Sequence, residues 1–208
     1  MSMLSTSPMG EVAAVPAVPR DFIWRLSVNQ YHEMVRAGIL TEEDPVELLE
    51  GWLVYKMPKN PIHRLATQSL REILEGFVAE GWHVNVQEPI TIAASEPEPD
   101  ISVVRGSRYD YKDRHPGAAD LGLVIEVSDA TLERDQGWKK KIYARAGIPV
   151  YWIVNLVAGR IEVYHGPGGS GEAWDYQAYT SYERNQAVPF SLGEQILGSV
   201  SLEQLLNG

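Results

Sequence analysis

The chain contains no cysteine, so it forms no disulfide and offers no thiolate to a metal. Any metal it holds must be bound by oxygen or imidazole, which favours magnesium or manganese over structural zinc. The same absence agrees with a cytoplasmic location. Long apolar runs are missing too: no stretch approaches the roughly 20 apolar residues of a membrane-spanning helix. The opening MSMLSTSPMGEVAAVPAVPR lacks the basic-then-apolar order of a secretory signal. Rich in Pro, Ala and Ser, residues 1–20 read as a flexible arm. Positive charge is scarce, with 18 Lys and Arg against 28 Asp and Glu and a net charge of −10. That balance argues against a protein that coats nucleic acid non-specifically, because such binding runs on cationic contacts to phosphate. Internal repeats, a glycine-rich nucleotide loop and sustained heptads are all lacking.

What is present suits one sizeable α/β domain. The stretch LSVNQYHEMVRAGIL reads as a short helix capped by Ser27 and ended by Gly38. PVELLEGWLVYKMP follows as two short strands around Glu50-Gly51. Asn60 and Pro61 open a longer helix to about Glu80, with Ile62, Leu65, Ala66, Leu70, Ile73, Leu74 and Phe77 on its apolar face. His83–Gln87 and Pro89–Ala93 are β-type runs. Ile101–Val104 and Leu121–Val127 are apolar strands joined by a long polar loop. Thr131–Ala146 reads as a helix ended by Gly147, and Val150–Leu156 as a strand buried on both faces. The helix between them makes the Leu121 and Val150 strands parallel, in a right-handed crossover. Arg160–Tyr164 and Trp174–Tyr179 are further strands around GPGGSG, and Ser201 caps a last helical turn.

Several charged residues stand out against this frame. Asp100 precedes an apolar strand and Glu126 interrupts the run LGLVIEV. A carboxylate inside such a strand is costly unless paired or metal-bound. After Pro99, Asp100 also suits a plain turn, so the functional and structural readings of this pair both stand. On the following helix Asp135, Lys139, Ile142, Tyr143 and Ala146 share a face. Lys140, Lys141, Ala144 and Arg145 project elsewhere. Lys139 is then either the partner of Asp135 or a cation that reaches the carboxylates. Glu50 sits at a turn, where a solvated glutamate is the ordinary outcome. His63 lies in the first turn of its helix, where the dipole disfavours an imidazolium, and reads as a structural residue. Between Asp100 and Arg145 the chain is nearly neutral, with nine Lys and Arg against eight Asp and Glu, which leaves a polyanionic substrate open.

As a set, ELLEGWLV, His63, EPDISVV, LVIEVSDAT, the D-x-x-x-K-x-x-x-Y from Asp135 to Tyr143, and AGIPVYWIVN resemble the Uma-type restriction endonuclease family. That family lies within the PD-(D/E)XK nuclease superfamily, and the likeness covers roughly residues 25 to 165. It implies a restriction-endonuclease-like fold over 21–208, a mixed β-sheet flanked by helices with an added N-terminal helix and hairpin and C-terminal strands. It implies Mg²⁺- or Mn²⁺-dependent hydrolysis of DNA, with a homodimer as the expected assembly. Asp100 would be the PD aspartate and Glu126 the second acidic ligand, with the Val127 carbonyl beside them as a further metal ligand. The usual lysine two places after the glutamate is Ser128 here, and Lys139 takes its part, orienting or deprotonating the attacking water. Glu50 would complete the site from the N-terminal hairpin. Two other readings remain at this stage: a catalytically silent binding module on the same fold, and a hydrolase of smaller phosphate esters.

Overall fold

A computed structural model describes residues 23–78 and 80–207; the expected arm at 1–20 lies outside them. In chain order the elements are α1 (Val28–Arg36), β1 (Val46–Leu49), β2 (Trp52–Tyr55), α2 (Pro61–Phe77), β3 (Trp82–Val86) and β4 (Ile101–Arg105). Then come β5 (Leu121–Ser128), α3 (Leu132–Arg134), a π-helical turn over Asp135–Lys139, α4 (Lys140–Ala146) and β6 (Val150–Asn155). The chain closes with β7 (Arg160–Gly168), β8 (Asp175–Glu183), β9 (Val188–Leu192), β10 (Gln195–Val200) and α5 (Leu202–Asn207). Strands β3-β4-β5-β6-β7-β8 form one six-stranded sheet, while β1-β2 and β9-β10 are separate hairpins. Only the β5–β6 pair in the large sheet is parallel, as the intervening helix demands.

Strand alternation divides the core into two layers. Ile125 and Val127 of β5 and Trp152 and Val154 of β6 meet α2, α5 and the β9–β10 hairpin. Val124, Tyr151 and Ile153 point the other way, toward Tyr143 and Ala144 of α4 and Leu49 of β1. With a period of two, Glu126 falls on the α4 side beside Val124. Both faces of β6 are therefore covered, as its apolar run predicts. The β9–β10 hairpin presses closely on α2: a Cβ at Gly198 would stand 2.6 Å from the Phe77 ring.

Helix starts follow their caps. Ser27 and Gln30 form a reciprocal capping box at α1, Asn60 accepts from the His63 N–H at α2, and Ser201 accepts from the Gln204 N–H at α5. Four expectations need correction. The buried face of α2 carries His63, Ala66, Thr67, Leu70 and Leu74, whereas Ile62 and Leu65 are exposed; the stripe is rotated toward His63, which lines the cleft described below, and toward Thr67, which bonds the His63 carbonyl. That helix also ends at Phe77, where Val78 turns extended. Pro89–Ala93 makes only isolated bridges, at Thr91 and Ile92, because Gln87 and Ala93 take positive φ and bend the chain at both ends. Ala144 is fully buried in the layer that it shares with Val124, Tyr151 and Ile153 of the sheet and Leu49 of β1, and Lys140 is tied to Asp175 at 3.1 Å rather than left to solvent.

Candidate active site

Asp100 sits immediately before β4, where the chain enters the sheet next to β5. Its Oδ2 accepts from the Val127 N–H at 2.9 Å and from His63 Nε2 at 3.1 Å. Since a carboxylate accepts, His63 donates through Nε2. Gln87 Nε2 reaches Oδ1 at 3.3 Å, and Lys59 Nζ stands 3.8 Å from the same oxygen. Burial acts to raise the Asp100 pKa, but the His63 bond and charge, the Val127 N–H and Lys59 outweigh it and hold the carboxyl below its ordinary value.

Glu126 is buried on the neighbouring strand, and its Oε1 accepts from Lys139 Nζ at 2.9 Å and Tyr143 OH at 2.7 Å. No hydrogen bond from the described residues reaches Oε2. Burial dominates this carboxyl and pushes it up to about 8, although Lys139 pulls the other way. Burial would lower Lys139, yet the charges of Glu126, Glu47 and Asp135 together raise it, so it is an ammonium at neutral pH. Tyr143 is likewise pushed far up by burial and then by Glu126, and it acts as a neutral donor.

The π-helical turn explains how Lys139 and Asp135 come to be buried together. Asp135 is fixed by Ser128 Oγ at 2.8 Å and Thr131 Oγ1 at 2.5 Å. Gln136 bonds both oxygens of Glu162 on β7, at 3.0 and 2.8 Å. The wider turn thus delivers Lys139 to Glu126, and such turns are frequent at functional sites.

Among the residues singled out in the sequence, Asp100, Glu126 and Lys139 line one cleft of about 440 Å³, with Val127 bonded to Asp100. Glu50 does not join them. It bonds Arg145 and, at 3.0 Å, Trp138 Nε1 on the outer side of the hairpin. Its neighbour Glu47 lines the cleft instead, with Lys139 Nζ at 3.1 Å. Alternation along β1 accounts for the exchange: Glu47 is an inward strand position, and Glu50 takes a positive φ in the turn. The E-x-x-x-G spacing, which runs from Glu47 to Gly51, was the available signal. His63 also lines the cleft, so its burial serves Asp100 directly.

The donor set suits a hard divalent cation. Glu47 Oε1 is buried without a hydrogen-bond partner, and Glu126 Oε2 and the loosely held Asp100 Oδ1 add carboxylate oxygens. Ile101 pairs with Ile125, so the same register sets Val127 opposite Pro99, which has no N–H to give its carbonyl. Among the described residues no group of three or more His, Asp or Glu is already spaced to hold a metal, because the Lys139 ammonium lies between Glu47 and Glu126.

The fold has a counterpart among solved structures. A nuclease described as putative, belonging to DUF820, from Anabaena variabilis ATCC 29413 superposes with a TM-score of 0.66. At 16% identity the match spans 87% of this chain and 97% of that one, which establishes the shared architecture. The chain itself belongs to the Uma2 family, described as "Putative restriction endonuclease", whose model matches residues 28–201. No curated protein matches it. Among the described residues no helix is long and apolar enough to cross a membrane.

Proposed function

We propose that this protein is a divalent-metal-dependent nuclease that hydrolyses DNA phosphodiester bonds in the cleft of Asp100, Glu126 and Lys139. The observation that carries this reading is the convergence of those three side chains, from three different elements, on one cleft. Asp100, Glu126, the Val127 carbonyl and Glu47 would hold Mg²⁺ or Mn²⁺. Such an ion supplies a Lewis acid and lowers the pKa of a bound water.

The chain's own residues divide the remaining work. His63 and the Val127 N–H fix the Asp100 rotamer by holding Oδ2. Lys139 stays protonated, so it orients the attacking water and offsets charge developing on the phosphate rather than accepting the proton. Tyr143 holds Glu126 from the far side. The cleft lining carries five carboxylates (Glu47, Glu98, Asp100, Glu126, Asp129) against four cations (Lys56, Lys59, Arg134, Lys139). With the Glu126 carboxyl pushed up to about 8, the metal-free lining is close to neutral at pH 7 and offers a phosphodiester little net attraction; a divalent ion makes it cationic, so metal binding favours substrate binding.

DNA cleavage with Mg²⁺ and with Mn²⁺, comparing wild type, Asp100→Ala and Lys139→Ala, tests the proposal. Loss of about 10² or more in rate is expected for both variants; equal rates in all three would sink the assignment. A second reading has one observation in its favour: Lys139 already closes the gap between Glu47 and Glu126, as in a silent binding module. Calorimetric titration separates the two, since a module binds no divalent ion near neutral pH or binds it unchanged in Glu126→Gln.

A further inference from the structure

Three of the buried side-chain atoms without a hydrogen-bond partner cluster around Arg134: Glu47 Oε1, Arg134 Nε and Asp135 Oδ1; of these residues Glu47 and Arg134 line the cleft. Arg134 is the group they share. Its Nη1 stands 3.7 Å from Glu47 Oε1, and its Nε 3.9 Å from Asp135 Oδ1. Both separations exceed the 2.7–3.2 Å of an N–H···O bond, so the two carboxylates face the guanidinium as ion pairs without taking up its N–H donors. Its one close bond runs from Nη1 to the Tyr55 carbonyl at 2.9 Å. A guanidinium has five N–H donors in a planar fork, and here most of them are unspent beside the cleft.

The other cations of the cleft are differently placed. Lys56 is bound to both oxygens of Glu98 at 2.8 and 2.9 Å. Lys139 is buried between Glu126 and Glu47. Lys59 is a more exposed point charge drawn toward Asp100 at 3.8 Å. Arg134 alone combines partial burial, a fixed anchor at β2 and free donors, and its fork matches the two non-bridging oxygens of a phosphodiester. Its acidic neighbour Glu47 sets a condition, because a phosphate is accepted beside that carboxylate only when a cation offsets its charge.

Building on the nuclease reading, we infer that Arg134 is the phosphate-binding residue of the cleft, gripping one backbone phosphate of the bound nucleic-acid strand in the presence of a divalent cation. The phosphate supplies a charged acceptor for the N–H donors that the two ion pairs leave unfilled, and the guanidinium keeps its carboxylate neighbours when it binds.

Anisotropy titration of a fluorescent single-stranded DNA oligonucleotide in Ca²⁺ reads binding apart from cleavage. Wild type is compared with Arg134→Gln and Arg134→Lys, each checked by thermal melting. Arg134→Gln should weaken binding about tenfold or more and reduce the slope of log K against log salt by about 0.7. Arg134→Lys should recover the slope but only part of the affinity, having charge without the fork. A neutral methylphosphonate placed at one linkage at a time should cost wild type affinity at one position and cost Arg134→Gln nothing there. If the Gln variant does not fold, the same scan on wild type and Arg134→Lys decides. Equal affinity and equal methylphosphonate profiles across the variants overturn the inference while leaving the nuclease reading intact. A wild-type protein that binds neither this strand nor the corresponding duplex in Ca²⁺ overturns both.

Discussion

Replacing Glu162 by Gln should destabilise the protein and loosen the turn that carries Lys139. The Glu162 carboxylate is 1% exposed and accepts from Gln136, Asn155, Arg160 and Tyr164, at distances of 2.8 to 3.0 Å. The substituted amide keeps one acceptor oxygen and turns an NH₂ group toward other donors, leaving at least one of them unpaired. Hydrogen bonds to a charged group contribute about 1.5–3 kcal/mol and an unsatisfied buried donor costs about 1–3 kcal/mol, so a loss of about 2–4 kcal/mol is expected. For a chain of this length that corresponds to roughly 5–15 °C in Tm.

The pH dependence fixes the sign. Burial acts to raise the Glu162 pKa, but the bonds from Asn155, Gln136, Tyr164 and Arg160 outweigh it and hold it below its ordinary value. The folded carboxyl therefore binds fewer protons than the unfolded one just below the ordinary glutamate value of about 4.3. Its stabilisation is present above that value and fades as pH falls through the folded pKa. Thermal melts of wild type and Glu162→Gln between neutral pH and about pH 3 should accordingly converge at the acid end. A gap that stays constant with pH, or no gap at neutral pH, would refute the reasoning.

The exchange of Glu47 for Glu50 gives a direct contrast. Glu47→Gln should weaken divalent-ion binding by about tenfold or more, measured by calorimetry, while Glu50→Gln leaves it unchanged. His63→Ala removes one of the two close donors to Asp100 Oδ2, so the Asp100 carboxyl should titrate higher, visible in its side-chain carbonyl NMR shift, and DNA cleavage should slow. Gly198→Ala forces a methyl group against the Phe77 ring and should cost about 1–3 kcal/mol in denaturant unfolding, with cleavage unaffected.

Much of this arrangement was legible from residue patterns. The apolar run LGLVIEV, the caps at Ser27 and Asn60, and the helix between two apolar strands led to the sheet and the parallel pair, and the phase of that helix together with the family resemblance led to Lys139. The losses have physical causes. His63 read as an isolated histidine because its partner Asp100 lies 37 residues away, and the dipole argument weighed only the helix end. Glu50 entered through the family resemblance alone, since a glutamate at a turn is ordinarily solvated, and the inward placement of Glu47 depends on how the hairpin seats against the sheet. Arg134 gave no signal, since its significance rests on distances to Glu47 and Asp135 that only the folded chain sets. The extended β7 and β8, running past the first glycines of GPGGSG to Gly168, reflect cross-strand pairing that no local propensity encodes.

The π-helical turn at Asp135–Lys139 is a helix holding one residue more than regular geometry accommodates. Both of its flanks are pinned, Asp135 through Ser128 and Thr131, and α4 through its buried Ile142 and Tyr143. The position of the Lys139 ammonium is thus written in the number of residues between two anchors as much as in their identity. Gly137, whose Cβ position faces open space, tolerates many side chains; its deletion would restore a plain helix and swing Lys139 by about 100° relative to one anchor. In such a segment the reading frame of the helix is the vulnerable inheritance, and loss of function arrives by a single missing codon more readily than by exchange of most of the residues it spans.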